Sequence, residues 1–287
     1  MNYKTVFDLL RISQWYKNFV IFIPLTFGMK IIDTHAIYAS ILGFICLCIL
    51  SSSYYIINDA FDAKRDILHP EKKLRPIASG KVKIWHALLV AVLMLSAALL
   101  VSLYISAVFF LILVMLFIFS QIYNFCLKKI LFADILAIAT NFSVKSIAGI
   151  VVINGTPFSP WLIICAFFLA LIMALGKRKS EIVTLGNDAH LHKPVLGKYD
   201  SDTINMLLIA CTAILVMSYA LYIAVMNNEL LLITLPFVIY GVAKYVNYVN
   251  KNAPIAGRPE KLFGEKDFVL NLFLWISSTV FLLYFVA

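Results

Sequence analysis

The sequence predicts an all-α, polytopic membrane protein of about nine transmembrane helices, and three observations predict it. Of its 287 residues 62% are hydrophobic and only 14% charged, with a mean hydropathy of +0.93, well outside the balance of a water-soluble domain. Apolar runs close to the roughly 20 residues that a helix needs to cross a bilayer recur along the whole chain. The ten-residue alternating segments of a transmembrane barrel do not appear.

Taken in order, the first two spans are 17–32 and 36–57. A charged loop follows, then 84–103 and 105–124, joined tightly near Ser106. Span five, 131–153, leads through NGTPFSP (154–160) into span six, 160–176. Another charged loop precedes span seven, 204–226, which turns at NNE (227–229) into span eight, 229–249, and a last charged loop leads to span nine, 268–287. Of the 24 Lys and Arg, all but Lys30 and Lys145 fall at or between alternate ends of these spans. The positive-inside rule therefore puts the N-terminus in the cytoplasm and, after nine crossings, the C-terminus outside. The first run lacks a small-residue cleavage pattern, so a removable leader is not expected. The formal net charge of +9 reports this topology and suits anionic head groups or phosphorylated substrates; nothing argues for nucleic acid. All five cysteines lie in or beside apolar spans without metal-site spacing, which predicts buried, inert thiols.

One membrane domain is expected over 1–287, with its chemistry on the cytoplasmic face, because the long loops there carry nearly all the charge. Its focus is INDAFDAKRDILHPEKKLRPIASG (57–80). If span two continues as helix, Asp59, Asp62 and Asp66, at i, i+3 and i+7, share one face with Asn58 beside them. Carboxylates so close repel one another and are disfavoured at a helix C-terminus. An all-oxygen set of this kind suits Mg²⁺, which takes a few carboxylates and completes its shell with water and phosphate oxygens. Pro70 and Pro76 stop helix continuation and would hold Lys72 and Arg75 near the carboxylates; His69 reads as a structural hydrogen-bonder more readily than as a ligand. After span six, Lys177, Arg178, Lys179 and Glu181 precede Asp188, a cluster that can hold phosphate directly. Lys145 lies inside span five, on one helical stripe with Asp134 and Asn141. An internal ion pair, a lipid-phosphate contact and snorkelling to the outer interface are all open there.

N-D-x-x-D-x-x-x-D followed by H-P-x-K-x-x-R-P-I-A-S-G resembles the first motif of the UbiA-type membrane prenyltransferase superfamily. RISQWYKNFVIFIPLTF (11–27), YNFCLKKILFADIL (123–136), KSIAG (145–149), GKRKSE (176–181) and GRPE (257–260) are similar to its decaprenyl-phosphate phosphoribosyltransferase branch, in the same order along nearly the whole chain. The resemblance implies a UbiA-like helical bundle that transfers 5-phosphoribose from phosphoribosyl pyrophosphate (PRPP) to a long-chain polyprenyl phosphate, with Mg²⁺ as cofactor. It implies Asp59 and Asp62 as catalytic residues and Asn58, Asp59, Asp62 and Asp66 as metal ligands. Substrate contacts would come from Lys17, Lys72, Arg75, Tyr123, Lys128, Lys145, Lys177, Arg178 and Glu181. Expected partners are the polyprenyl phosphate, PRPP and the bilayer of the cytoplasmic membrane, with a homo-oligomer left open. Arg258, Glu260 and Asp267 also match the branch, without a definite role. One departure is that the branch has Arg where this chain has Lys145, which puts a bidentate role there in doubt. Another is that aromatic-acceptor members carry a second aspartate-rich motif after span six, where this chain has cations. A prenyltransferase acting on an aromatic acceptor is the rival enzyme, and a transporter of anionic solutes the rival of another class.

Overall fold

The computed structural model describes residues 2–68, 72–154, 159–186, 194–226, 228–252 and 254–286. His69, Pro70 and Asp188 of the sequence reading lie outside them. Every regular element among the described residues is helical. The chain opens with α1 (Tyr3–Leu10) and a 3-10 helix (Ile12–Phe22) that runs into α2 (Ile23–Phe27). There follow α3 (Thr34–Asp66), α4 (Ile84–Ile105), α5 (Ala107–Phe125), α6 (Ala133–Val152), α7 (Pro160–Leu185), α8 (Ser201–Val225) and α9 (Leu235–Asn250). A short turn, Pro254–Gly257, and a 3-10 stretch, Pro259–Gly264, lead to α10 (Lys266–Phe285).

Eight helices among the described residues are long and apolar enough to cross a membrane. The first expected span, 17–32, is built differently, as the composite Ile12–Phe27. At roughly 2.0 Å per 3-10 residue and 1.5 Å per α residue, that composite is about 30 Å long, close to the hydrocarbon thickness of a bilayer. Its shape follows from close packing on α6. A Cβ at Gly149 would stand 2.3 Å from the Ile21 carbonyl oxygen and 3.1 Å from Pro24, so only glycine lets the two backbones meet, as small residues do between membrane helices.

Two apolar cores share α6. One gathers Ile21, Leu47, Leu50, Phe109 and Leu113 around Ala148 and Val152; the other gathers Leu171, Leu175, Ile204, Leu208 and Val242 around Ile135 and Ala139. The outer faces of α4, α5 and α10 leave Leu100, Leu111 and Phe273 exposed, as helices that border lipid do. Away from the charged end, Tyr284 of α10 donates to the Thr26 carbonyl at 3.1 Å and accepts from the Ile31 N–H at 3.0 Å, tying the last helix to the first crossing. The expectation that all the thiols are buried fails at Cys126, which follows α5 and is exposed; Cys46, Cys48 and Cys211 are buried.

Candidate active site

α3 does not stop where its apolar run ends at residue 57. It continues to Asp66, and that continuation places Asn58, Asp59, Asp62 and Asp66 along one stripe at the charged end of the bundle. Asp33 caps the other end of α3, accepting from the N–H groups of His35 and Ala36 at 3.0 and 3.2 Å.

Each carboxylate of the stripe faces a cation. Arg11 approaches Asp59 in bidentate fashion, with Nε donating to Oδ2 at 3.1 Å and Nη2 to Oδ1. Arg75 Nη1 donates to Asp59 Oδ1 at 3.0 Å and to Asp66 Oδ2 at 2.6 Å. Lys128, from the turn after α5, donates to Asp62 Oδ2 at 2.9 Å and reaches Asn58 Oδ1 at 3.4 Å. The flanking prolines had placed Arg75 near the carboxylates, and the resemblance had implied Lys128 as a substrate contact; neither had paired Arg11 with them. That residue breaks the helical run with a left-handed φ of 50°, an uncommon conformation for a residue with a side chain, and its guanidinium lies 5.0 Å from the centre of the Tyr55 ring. The only earlier signal was its place at the head of RISQW.

The opposite wall comes from α7 and the first crossing. Lys17 lies within electrostatic range of Lys177, Lys145, Arg11 and Glu260. Lys177 is exposed, and among the described residues neither Lys17 nor Lys177 forms an ion pair. Lys72 sits near Arg75, Asp66, Asp62 and Glu181, joining the polar ends of α3 and α7; burial first, then the Arg75 charge, lowers its pKa below the ordinary lysine value. Glu260 accepts from Tyr16 at 3.4 Å, and Phe263 packs edge-on to the Tyr16 ring at 6.1 Å, so the final loop closes against the first crossing. Asp267 instead pairs with Lys244 at 3.0 Å.

Four of the expected substrate contacts, Arg178, Glu181, Tyr123 and Lys145, are hydrogen-bonded to protein partners. Arg178 is 2% exposed, with Nε donating to Asp134 Oδ2 at 2.7 Å and Nη1 to Glu181 Oε2 at 2.6 Å. Tyr123 hydrogen-bonds the same guanidinium, and Tyr199 donates to Asp134 Oδ1 at 2.5 Å. Burial, followed by the hydrogen bond to Asp134, raises the Tyr199 phenol above its ordinary range, so it remains a donor. Arg178, Glu181 and Tyr123 thus belong to one internal network that fixes α7 against α6. Lys179 turns away to Asn205 and Asn250 at 2.7 and 3.1 Å. Lys145 does not pair with Asp134, eleven residues away and about 16 Å along the helix. It does not snorkel either, being 4% exposed, and donates to Asn18 Oδ1 at 2.8 Å; Asn18 in turn accepts from Ser51 at 3.3 Å.

The donor set of the stripe, three carboxylates and an amide oxygen, is hard and all-oxygen and so fits Mg²⁺. Among the described residues no three acidic, His or Cys side chains converge on a common point. The carboxylate oxygens instead lie on guanidinium and ammonium groups, which can move onto phosphate once a cation takes their place.

A model of the UbiA prenyltransferase family matches residues 21–285. A decaprenyl-phosphate phosphoribosyltransferase of Mycolicibacterium smegmatis is 31% identical over 295 aligned residues, covering 96% of this chain and 91% of that protein. An uncharacterized protein, y4nM, of Sinorhizobium fredii is 34% identical over 60% of this chain, which spans only 33% of that protein's length. A solved UbiA homolog from Archaeoglobus fulgidus, bound to GPP and Mg²⁺, shares the fold, with a TM-score of 0.74 and 21% identity over 97% of this chain and 99% of its own.

Proposed function

The chain belongs to the UbiA prenyltransferase family, and from that premise we propose that it transfers 5-phosphoribose from PRPP to a long-chain polyprenyl phosphate and releases pyrophosphate. The carrying observation is the cation group beside the aspartate stripe, where Lys17 and Lys177, which form no ion pair among the described residues, stand near Arg11 and, for Lys17, Lys145. A donor held between two acidic motifs would need carboxylates on that wall. Cations there serve a second phosphorylated group directly. The name borne by the M. smegmatis relative supports the same reading.

The chemistry needs little from the protein beyond placement. Mg²⁺ held by Asp59, Asp62 and Asp66 with Asn58 would neutralise charge on the departing pyrophosphate. Arg11, Lys72 and Arg75, released from the carboxylates, bind phosphate oxygens of the donor, while Lys17 and Lys177 hold the remaining phosphate across the space. The acceptor phosphate, with a second pKa near 6, is already largely anionic at neutral pH and needs no general base. Its oxygen forms the new bond to the anomeric carbon as the bond to pyrophosphate breaks, with inversion at that carbon and the electron pair leaving with pyrophosphate. The Arg178–Asp134–Tyr199 network keeps Lys177 at its place on α7. We place the charged end of the bundle at the cytoplasmic face of the cell membrane, where the positive-inside rule puts it.

The test is purified protein in detergent with labelled PRPP, polyprenyl phosphate and Mg²⁺. Label should enter the lipid phase with wild type and remain in the aqueous phase with Asp62→Ala. Alkylation of an aromatic acid by a prenyl diphosphate, with no pentosyl transfer, would overturn the assignment.

A further inference from the structure

Glu260 is a carboxylate at the charged end of the bundle that has no part in the aspartate stripe or in the ion pairs described above. It is half-buried on the 3-10 stretch Pro259–Gly264 of the final loop. That stretch is anchored on both sides: Ala256 ahead of it is buried, and Phe263 packs edge-on to Tyr16. Asp59, Asp62, Asp66, Asp134 and Glu181 each lie on a guanidinium or ammonium group. Glu260 lies within electrostatic range of Lys17 and Lys177, yet among the described residues it pairs with neither. Its one hydrogen bond there is the 3.4 Å contact from the Tyr16 hydroxyl. An ionised carboxylate offers about four lone-pair sites, so most of its accepting capacity is unused.

A carboxylate beside lysines that serve phosphate is no phosphate ligand, because it repels the anion. What it accepts well is a hydroxyl from an uncharged part of the same substrate. We infer that Glu260 accepts a hydrogen bond from the 2-hydroxyl of the donor's ribose, and so selects a sugar donor over one that carries only a hydrocarbon chain. The inference rests on the pentosyl-transfer reading and deepens it. In that reading pyrophosphate lies at the aspartate stripe. The acceptor phosphate approaches the anomeric carbon from the side opposite pyrophosphate, and the 5-phosphate hangs from the same ring. Whichever of these two phosphates Lys17 and Lys177 hold, the ribose is the piece between it and the pyrophosphate, which brings its hydroxyls toward the segment that carries Glu260. Acidic side chains hold ribose 2-hydroxyls in this manner in dinucleotide-binding folds. Tyr16 steadies the carboxylate through one oxygen and leaves the other for the sugar. A prenyl diphosphate offers no hydroxyl there, and a site built to bond a hydroxyl disfavours a ligand that lacks it.

The test is isothermal titration of the purified full chain in detergent and Mg²⁺ with PRPP and with its 2-deoxyribosyl analogue, alongside transfer of label from both. Wild type should bind PRPP about tenfold or more tightly than the analogue, the weight of a hydrogen bond to a charged group. Glu260→Gln should bring the two ligands within about twofold of one another, because the charged acceptor is gone. The ratio isolates the hydroxyl: a change in charge acts on both ligands alike, and a merely structural loss lowers both together. Tyr16→Phe, which removes the donor that steadies the carboxylate and alters no charge, should narrow the ratio part-way. Three results would overturn the assignment while pentosyl transfer stands: no preference by wild type, a ratio that Glu260→Gln leaves intact, or an equal gain in affinity for both ligands in that variant, as expected of a counter-ion that only neutralises Lys17 and Lys177. Wild type that neither binds PRPP nor moves its label would instead overturn the transfer reading, and this inference with it.

Discussion

Arg178 and Asp134 form an ion pair of 2.7 Å with side chains 3% and 0% exposed, joining α7 to α6 directly beneath the cation-lined wall. Asp134→Ala removes one charge-assisted hydrogen bond but leaves the buried Arg178 paired with Glu181, so it is expected to cost about 1.5–3 kcal/mol, read as a fall in the unfolding midpoint in detergent. Tyr199→Phe, which removes a single neutral donor, should cost about 1 kcal/mol.

At the aspartate stripe the expectation is reversed. Asp62→Asn keeps volume and leaves the half-buried Lys128 reachable by water, so the fold should persist. Transfer should drop by roughly 10²-fold or more, the scale on which losing one electrostatic stabiliser of a developing charge is felt. The check is initial rate against unfolding midpoint on the same preparation; a midpoint loss that accounts for the lost rate would remove Asp62 from the chemistry.

Lys177→Gln separates binding from architecture. The ammonium makes no ion pair among the described residues, so its loss should leave the midpoint within about 0.5 kcal/mol of wild type. A charge-assisted contact to phosphate is worth about 1.5–3 kcal/mol, so KM for the phosphorylated substrate should rise at least tenfold. Isothermal titration with PRPP in the presence of Mg²⁺ reads the same loss without turnover.

Gly149→Ala tests the close approach of α6 to the first crossing. Its methyl would meet the Ile21 carbonyl oxygen at 2.3 Å, a distance only backbone movement can relieve. Overpacking of this kind costs about 1–3 kcal/mol, measurable as a lowered midpoint. Gly264→Ala, where a Cβ meets nothing within 4 Å, is the control.

How much of this was legible before the structure depends on whether the information is local. The apolar runs carry their own membrane signal, and the i, i+3, i+7 spacing of Asp59, Asp62 and Asp66 put them on one face as soon as α3 was allowed to continue. Partner choice between helices is not local. Arg11 meets Asp59 across 48 residues because a left-handed turn redirects the chain, and no periodicity announces such a turn. Asp134 and Lys145 share a stripe, yet each finds a closer partner on another element, Arg178 and Asn18, because a stripe fixes direction and not the distance along the axis. The composite first crossing was hidden for a related reason: its 3-10 geometry is set by the glycine it packs against on α6, about 120 residues away.

The Tyr245 hydroxyl contacts two carbonyls at 3.2 Å, those of Met173 in α7 and Ala256 in the final loop. It lies where a Cβ on Gly176 would come within 2.4 Å. The pin therefore holds the covering loop to the stretch of α7 just before Lys177. Any movement of that loop must therefore either break these contacts or carry the adjoining turn of α7 with it, so the two segments are mechanically joined at one hydroxyl.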